Sequence, residues 1–410
     1  MAQAIAVGGQ IAVLGTTDDG VEVALLEAAT GAVVGGRALG HGCVPVPAAG
    51  ATSLLARCGG ALVVIDPATL AERWRGALGG TTFRVTARGD LVVASVDVAA
   101  TPAAPRHKAV VAFEATGRTR WRTTMPTERG IGVAEDAERV YVFEGDPTVW
   151  ALDRQTGAIL WATPMTQPIA DVVALGDGTL AVVREGEVVR LDGAAGAEAE
   201  VLVPRGVHDL AVAGSWIFTI EDPGEDGFRA PRLHGRDLAT GQQWIYPRPI
   251  DGSSALTFGD GVVHACSPTG TLHAIDRARG TGRWWADTGG ACGAITVGGV
   301  TLVGLDRGTD LGFATAAIDP ARRSRAPWAT IRGRFRDGIG ATGVRGHRVW
   351  IGDRVVVTDA RGRFSARVRR GARVSVTLDP RDVGLGVEGA VLGPGDPPRV
   401  ELASYYEDCH

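Results

Sequence analysis

The sequence predicts an all-β protein: an eight-bladed β-propeller over residues 1–330, followed by a small β-sandwich over residues 331–410. Three observations carry this. A strand–turn–strand unit recurs with a period near 40 residues, the repeat length of a propeller blade built from several short strands. Each turn opens on an acidic residue, and most close on glycine. A tryptophan trails the acid by seven to nine residues in six of the eight copies.

The unit is clearest over residues 140–161, VYVFEGDPTVWALDRQTGAILW. Two apolar strands, 140–143 and 148–152, flank the turn Glu144-Gly145-Asp146-Pro147. A second turn, Asp153-Arg154-Gln155-Thr156-Gly157, leads into a third strand that ends at Trp161. Alternating apolar residues bounded by Gly, Pro and Asp mark hairpins. An aspartate oxygen can accept hydrogen bonds from amides two or three residues on, and glycine supplies the positive φ that closes the turn. A tryptophan eight residues after the acid is large enough to fill the wedge between neighbouring sheets.

The acidic anchors are Glu27, Asp66, Glu114, Asp153, Asp192, Asp237, Asp276 and Asp319, at successive spacings of 39, 48, 39, 39, 45, 39 and 43. Trp74, Trp121, Trp161, Trp244, Trp284 and Trp328 follow six of them, and the first and fifth repeats have none. Repeat one runs over 11–39, and repeat two carries Val63-Val64-Ile65-Asp66. In repeat three the link between the second and third strands swells to 97–108, with Pro102 and Pro105. Repeat five, 180–203, is compact, whereas repeat six lengthens the same link to 221–232. Repeat seven holds 262–266, 272–276 and Trp284-Trp285, and repeat eight a third such link at 307–311.

Val149-Trp150-Ala151-Leu152-Asp153-Arg154-Gln155-Thr156-Gly157 and His273-Ala274-Ile275-Asp276 resemble the ALDxxTGxxLW repeat of pyrroloquinoline-quinone-enzyme-like propellers. The resemblance covers residues 1–330 and implies the fold rather than a reaction. Quinone dehydrogenases of that class use an adjacent cysteine pair, a calcium site and a catalytic aspartate at the central channel. No Cys-Cys pair and no calcium-binding run occur here, so no cofactor is expected. Beyond Trp328 the pattern changes: Thr358-Asp359-Ala360-Arg361-Gly362-Arg363-Phe364 and the strands around it resemble the carboxypeptidase-regulatory-like family, a transthyretin-like sandwich. That module is structural or adhesive. The competing reading makes Asp359, 40 residues after Asp319, the anchor of a ninth blade, but Arg367 stands where a tryptophan would.

Composition narrows the partners. The formal charge of −4 leaves no basic footprint for nucleic acid. Lys108 is the one lysine among 42 basic residues, a bias that points to a GC-rich bacterial genome. The first residues carry no basic leader, and no apolar run reaches the length of a membrane helix, so the expected location is cytoplasmic. Five scattered cysteines, an odd number, suit reduced thiols better than a disulfide framework.

No nucleophile elbow, phosphate loop or His-Glu-x-x-His motif occurs. Each anchor acid is assigned to capping its own turn. Two sets of metal-ligating types, Glu407-Asp408-Cys409-His410 and His41-Gly42-Cys43 with Cys58, lack the spacing of a structural zinc site. The acidic loop Asp222-Pro223-Gly224-Glu225-Asp226-Gly227 lacks the full calcium-ligand spacing. His264 and Cys266 read as buried small residues.

The expectation is therefore a non-enzymatic scaffold that binds a protein partner within a larger bacterial assembly. The alternatives are a periplasmic or surface propeller resembling the outer-membrane assembly lipoproteins, and a small-ligand binder or enzyme using the central channel. Three long links of like topology should crowd one rim, where loops on a rigid scaffold tend to bind. The residues expected to meet the partner are Asp97, Arg106, Lys108, Glu221, Asp222, Glu225, Asp226, Arg229, Arg232 and Arg307.

Overall fold

The computed structural model describes residues 52–100, 105–127, 130–144, 147–221 and 231–250 continuously, and residues 3–49 and 256–404 with interruptions. The anchor turns form as their chemistry requires. Asp153 Oδ1 accepts hydrogen bonds from the amides of Gln155 and Thr156 and from the Thr156 hydroxyl, at 2.8–3.0 Å. The Gly157 amide closes the turn on the Asp153 carbonyl at 2.8 Å, and Gly157 takes φ +72°. Asp66, Asp192, Asp237 and Asp276 cap their own turns in the same way.

Between these turns the chain runs up and down. The third blade is Thr81–Arg88, Leu91–Val98, His107–Glu114 and Thr119–Met125. The fourth is Ile131–Glu135, Arg139–Glu144, Thr148–Asp153 and Ile159–Pro164. The fifth is Ile169–Ala174, Thr179–Arg184, Glu187–Asp192 and Glu198–Val203, and the sixth Val207–Ala213, Trp216–Glu221, Arg232–Asp237 and Gln243–Pro249. The first blade starts at Gln3–Val7, the second at Cys43–Pro45 and the seventh at Thr257–Gly259. A two-residue strand, Ala48–Ala49, leaves the second blade and adds in parallel to the inner strand of the third. First strands of neighbouring blades lie against one another around the axis. The core lies between blades: Val110, Ala112 and Trp121 of the third pack with Val133, Val142 and Leu152 of the fourth.

The blade count corrects the expected eight. Among the described residues seven four-stranded blades are present, and the eighth repeat contributes a three-stranded sheet of Gly293–Val297, Val300–Leu305 and Ala314–Ile318. The reason lies at Trp328. It sits at the spacing of a blade tryptophan, yet it opens the strand Trp328–Asp337, which pairs with Arg363–Arg369 and Arg399–Ser404. A second sheet there holds Arg354–Val357, Arg348–Ile351, Val374–Leu378 and Ala390–Leu392. Asp359 caps a turn through the amides of Arg361 and Arg363. The strands on either side of it join different sheets, unlike the two strands that flank a blade anchor.

The cysteines are the second correction. Cys43 and Cys58 face each other across the first strand pair of blade two and are joined by a disulfide, and Cys266 is disulfide-bonded as well. Antiparallel register brings together two residues 15 apart, which sequence spacing alone does not reveal. Among the described residues no helix is long and apolar enough to cross a membrane.

Candidate functional site

The long links join second to third strands, and the bases of links 97–108 and 221–232 are built from charge. Asp97, at the end of Leu91–Val98, accepts from Arg106 Nε at 3.0 Å and also contacts Arg106 Nη2. Lys108 Nζ lies 2.9 Å from the same carboxylate. Lys108 and Asp97 are buried, at 2% and 8% exposure. The hydrogen bond from Arg106, reinforced by Lys108, holds the Asp97 carboxyl well below the usual carboxylate range. Three of the expected partner residues thus form one cluster that pins the base of link 97–108.

In blade six, Glu221 and Arg232 stand opposite each other in register. Glu221 Oε1 accepts from the Thr219 hydroxyl, and His234 Nδ1 lies 3.3 Å from Glu221 Oε2. Asp222, Glu225, Asp226, Arg229 and Arg307 lie outside the described residues, as do the acidic loop and the 407–410 tail. The His41-Cys43-Cys58 set offers no thiolate, because both sulfurs are in the disulfide. Among the described residues no group of three or more His, Cys, Asp or Glu is placed to hold a metal ion.

A second group of charges went unnoticed in the sequence. Arg84, on the inner strand of blade three, reaches Asp171 on the inner strand of blade five, with Nη1 2.8 Å from Oδ1. Its guanidinium also lies 5.4 Å from the centre of the Phe143 ring of blade four. Burial pushes the Asp171 carboxyl up, against the pull of Arg84, and burial likewise pushes up Asp209 on the inner strand of blade six. Each of these three residues sits at an irregularity in its strand pairing, between Thr82 and Val85, Ile169 and Asp171, and Val207 and Asp209. Bulges of this kind re-aim a side chain. The signal available in the sequence was a single carboxylate within a mainly apolar first strand, for Asp171 and Asp209; Arg84 lies in a strand with three threonines and a second arginine. Close by, Glu135 accepts from Thr86 Oγ1 at 3.0 Å and Arg154 Nε at 3.2 Å, and burial raises its pKa.

Among the described residues, cavities open between blades. One of about 210 Å³ lies between blades two and three beside Trp74, Arg73 and Asp90. A larger one, about 350 Å³, lies between blades five and six. Val203 and Pro204 line it from blade five, and Ile217, Thr219, Glu221, His234, Gly235, Arg236, Gln243, Trp244 and Ile245 from blade six.

Cyclic up-and-down sheets with acid-anchored turns and indole wedges define the protein as a β-propeller. Residues 106–250, which span most of blades three to six, match the family model described as outer membrane protein assembly factor BamB. The computationally designed Ika8 protein shares the fold at 14% identity and a TM-score of 0.57, over 76% of this chain and 94% of that one. BamB from Moraxella catarrhalis aligns at 16% identity and a TM-score of 0.49, over 79% of this chain and 95% of that one. A quinohemoprotein alcohol dehydrogenase from Pseudomonas putida aligns at 15% identity and a TM-score of 0.47, over 73% and 68%. No curated protein sequence matches the chain.

Proposed function

We propose that the protein is a non-enzymatic, partner-binding propeller that serves as a subunit of a bacterial multiprotein assembly, of the kind that builds the outer membrane. The observation that carries this reading is the match of residues 106–250 to a family described as an assembly factor. The rim formed by links 97–108, 221–232 and 307–311 is the docking surface. Asp97, Arg106 and Lys108 favour it physically: a link whose base is fixed by a buried ion pair loses less freedom on docking. Arg106 has a side chain 65% exposed yet oriented by Asp97, the property expected of an interface arginine. Asp222, Glu225, Asp226, Arg229, Arg232 and Arg307 complete the surface. Residues 331–410 add a carboxypeptidase-regulatory-like sandwich as a separate structural module.

The Cys43–Cys58 bridge favours an oxidising compartment over the cytoplasm. Trapping cellular thiols by alkylation before lysis tests this. Both cysteines should be protected until a reductant is added, and immediate alkylation of both would return the protein to the cytoplasm.

Shortening links 97–108 and 221–232 to tight turns tests the docking surface. The trimmed protein should keep its thermal midpoint and lose its partner in a native pull-down. Retention of the partner would move the site elsewhere. A second reading, a small-ligand site in the central channel, rests on Arg84, Asp171 and Asp209 converging there from three blades. Asp171→Asn with Asp209→Asn should leave the partner pull-down intact, and on the second reading should change which small polar ligands stabilise the protein in a thermal-shift screen; an identical screen for both proteins would count against the channel.

A further inference from the structure

Wherever a blade tryptophan is described against the turn of the next blade, that turn closes on a bare glycine beneath it. A Cβ added at Gly117, Gly157, Gly196 or Gly280 would lie 2.5–2.9 Å from the rings or Cβ of Trp74, Trp121, Trp161 and Trp244 respectively. The indole N–H of three of them donates to the carbonyl just after the next anchor: Trp121 to Arg154, Trp161 to Gly193 and Trp244 to Arg277, at 2.9–3.1 Å. Opposite Trp121, Trp161 and Trp244 in their own blades stand the small residues Ala112, Ala151 and Gly235, whereas Trp74 faces Val64. Glycine, small residue and indole form one packing unit.

Two repeats lack the tryptophan, and they solve the gap differently. In the first, Gly35 faces Leu25, and the next blade replaces the turn glycine with Leu70. Leu70 accepts a φ of +58° to bury its side chain among Ala12, Leu14, Leu54 and Ile65. A leucine in that backbone region is strained, so the filling outweighs the strain. In the fifth, Glu200 faces Arg190 and the two form an ion pair at 3.0 Å. The glycine that should lie beneath an indole, Gly241, has nothing within 4 Å of the position a Cβ would take. Leu202 and Leu238 pack with Val203 and Ile217 at this junction and leave the position over Gly241 open. The 350 Å³ cavity lies at this same junction, within the ~300–1,000 Å³ range of small-ligand sites.

Its walls are not those of a dry defect. Positions held by Val189 and Leu191 in blade five are His234 and Arg236 in blade six, counted back from anchors Asp192 and Asp237. Arg236 is held by the Leu202 carbonyl, which aims a guanidinium along the wall. His234 Nδ1 lies 3.3 Å from Glu221 Oε2, so the neutral imidazole keeps its proton on Nδ1 facing that carboxylate, and burial lowers its pKa. In this tautomer Nε2 is a hydrogen-bond acceptor. Val203, Pro204, Ile217 and Ile245 supply the apolar surface.

We propose that this cavity is a binding site for an aromatic ring bearing a polar N–H or O–H, the chemistry of an indole or a phenol. The ligand takes the place of the missing wedge: its face lies against proline, isoleucine and the Arg236 guanidinium, and its donor finds an acceptor at His234 or at the Leu238 carbonyl, which follows anchor Asp237. The rim reading is independent of this site and neither requires the other. Isothermal titration and ligand-observed NMR with free indole and with N-acetyl-L-tryptophanamide test it. Saturable binding of either probe is expected. Tighter binding of the amide marks a side chain presented by a polypeptide, and equal or tighter binding of indole marks a free small aromatic. Glu200→Trp with Arg190→Ala rebuilds the standard unit and should abolish binding while the thermal midpoint holds or rises. Should that variant fail to fold, Ile245→Asp at the 55%-exposed mouth should weaken binding about tenfold, equivalent to about 1.4 kcal/mol. No saturable binding of either probe, or undiminished binding in the folded variants, overturns the proposal.

Discussion

Alanine at two equivalent turn glycines separates backbone strain from wedge packing. Gly157 and Gly241 occupy the same place in their repeats, with φ of +72° and +74°. Forcing a Cβ into this left-handed region costs roughly 1–2 kcal/mol at either site. At Gly157 the new carbon also lands 2.6 Å from the Trp121 ring and 2.7 Å from Thr123 Oγ1. Trp121 cannot retreat, because it is 7% exposed and its indole N–H is bound to the Arg154 carbonyl at 2.9 Å. Overpacking of this kind costs roughly 1–3 kcal/mol more. Gly241→Ala should therefore cost about 1–2 kcal/mol and Gly157→Ala about 2–5 kcal/mol. Denaturant titration followed by tryptophan fluorescence reads the difference as a gap between the two midpoints at constant slope. Coincident midpoints would mean that no indole packs against Gly157, and the description of the wedge would fall with it.

Further outcomes follow from the same geometry. Trp121→Ala should cost about 3–5 kcal/mol, and Trp161→Ala less, since the Trp161 ring is only partly buried; equal losses would count against the burial order. His264 and His273 are buried, and burial lowers their pKa values to about 4 and about 3. The unfolded chain therefore binds protons that the folded one does not as pH falls below the ordinary histidine value. Stability should drop by about 2 kcal/mol per histidine between pH 7 and pH 5, and a double His→Phe variant with an unchanged pH profile would refute this assignment. Opening the Cys43–Cys58 bridge, which closes 15 residues, by Ser substitution should cost about 3 kcal/mol, visible as a lower thermal midpoint in non-reducing buffer only. Lys108→Met leaves the buried Asp97 with one cation and should cost about 3–5 kcal/mol, with Asp97→Asn in the same chain recovering most of the loss.

Local chemistry was legible in the sequence, and long-range register was not. The Asp153 turn and its equivalents could be read because every contact spans five residues or fewer. The wedge could be read because an indole at a fixed distance from such a turn has one place to go. The eighth blade misled because Trp328 satisfies the spacing but belongs to another sheet. Antiparallel register, not spacing, joins Cys43 to Cys58. Arg84, Asp171 and Asp209 come from three repeats and are turned toward one another by pairing irregularities, which leave no mark in composition. Of the residues expected at the rim, Asp97, Arg106 and Lys108 converge because a hairpin of known register closes over them.

Repetition makes the exceptions informative. In a ring of near-identical sheets each interface faces the same packing problem, and the standard answer here is an indole over a glycine. Where that answer fails between blades one and two, Leu70 takes a strained backbone to restore the filling, so an empty wedge is costly enough to be avoided. Between blades five and six the position over Gly241 is open, and the strand face there carries His234 and Arg236 where blade five has Val189 and Leu191. An imperfection of packing alone would leave the apolar face in place, since a dry cavity lined by aliphatic side chains costs less than one lined by charges. The polar exchange and the missing tryptophan are favourable together only if something other than the chain's own side chains completes the junction.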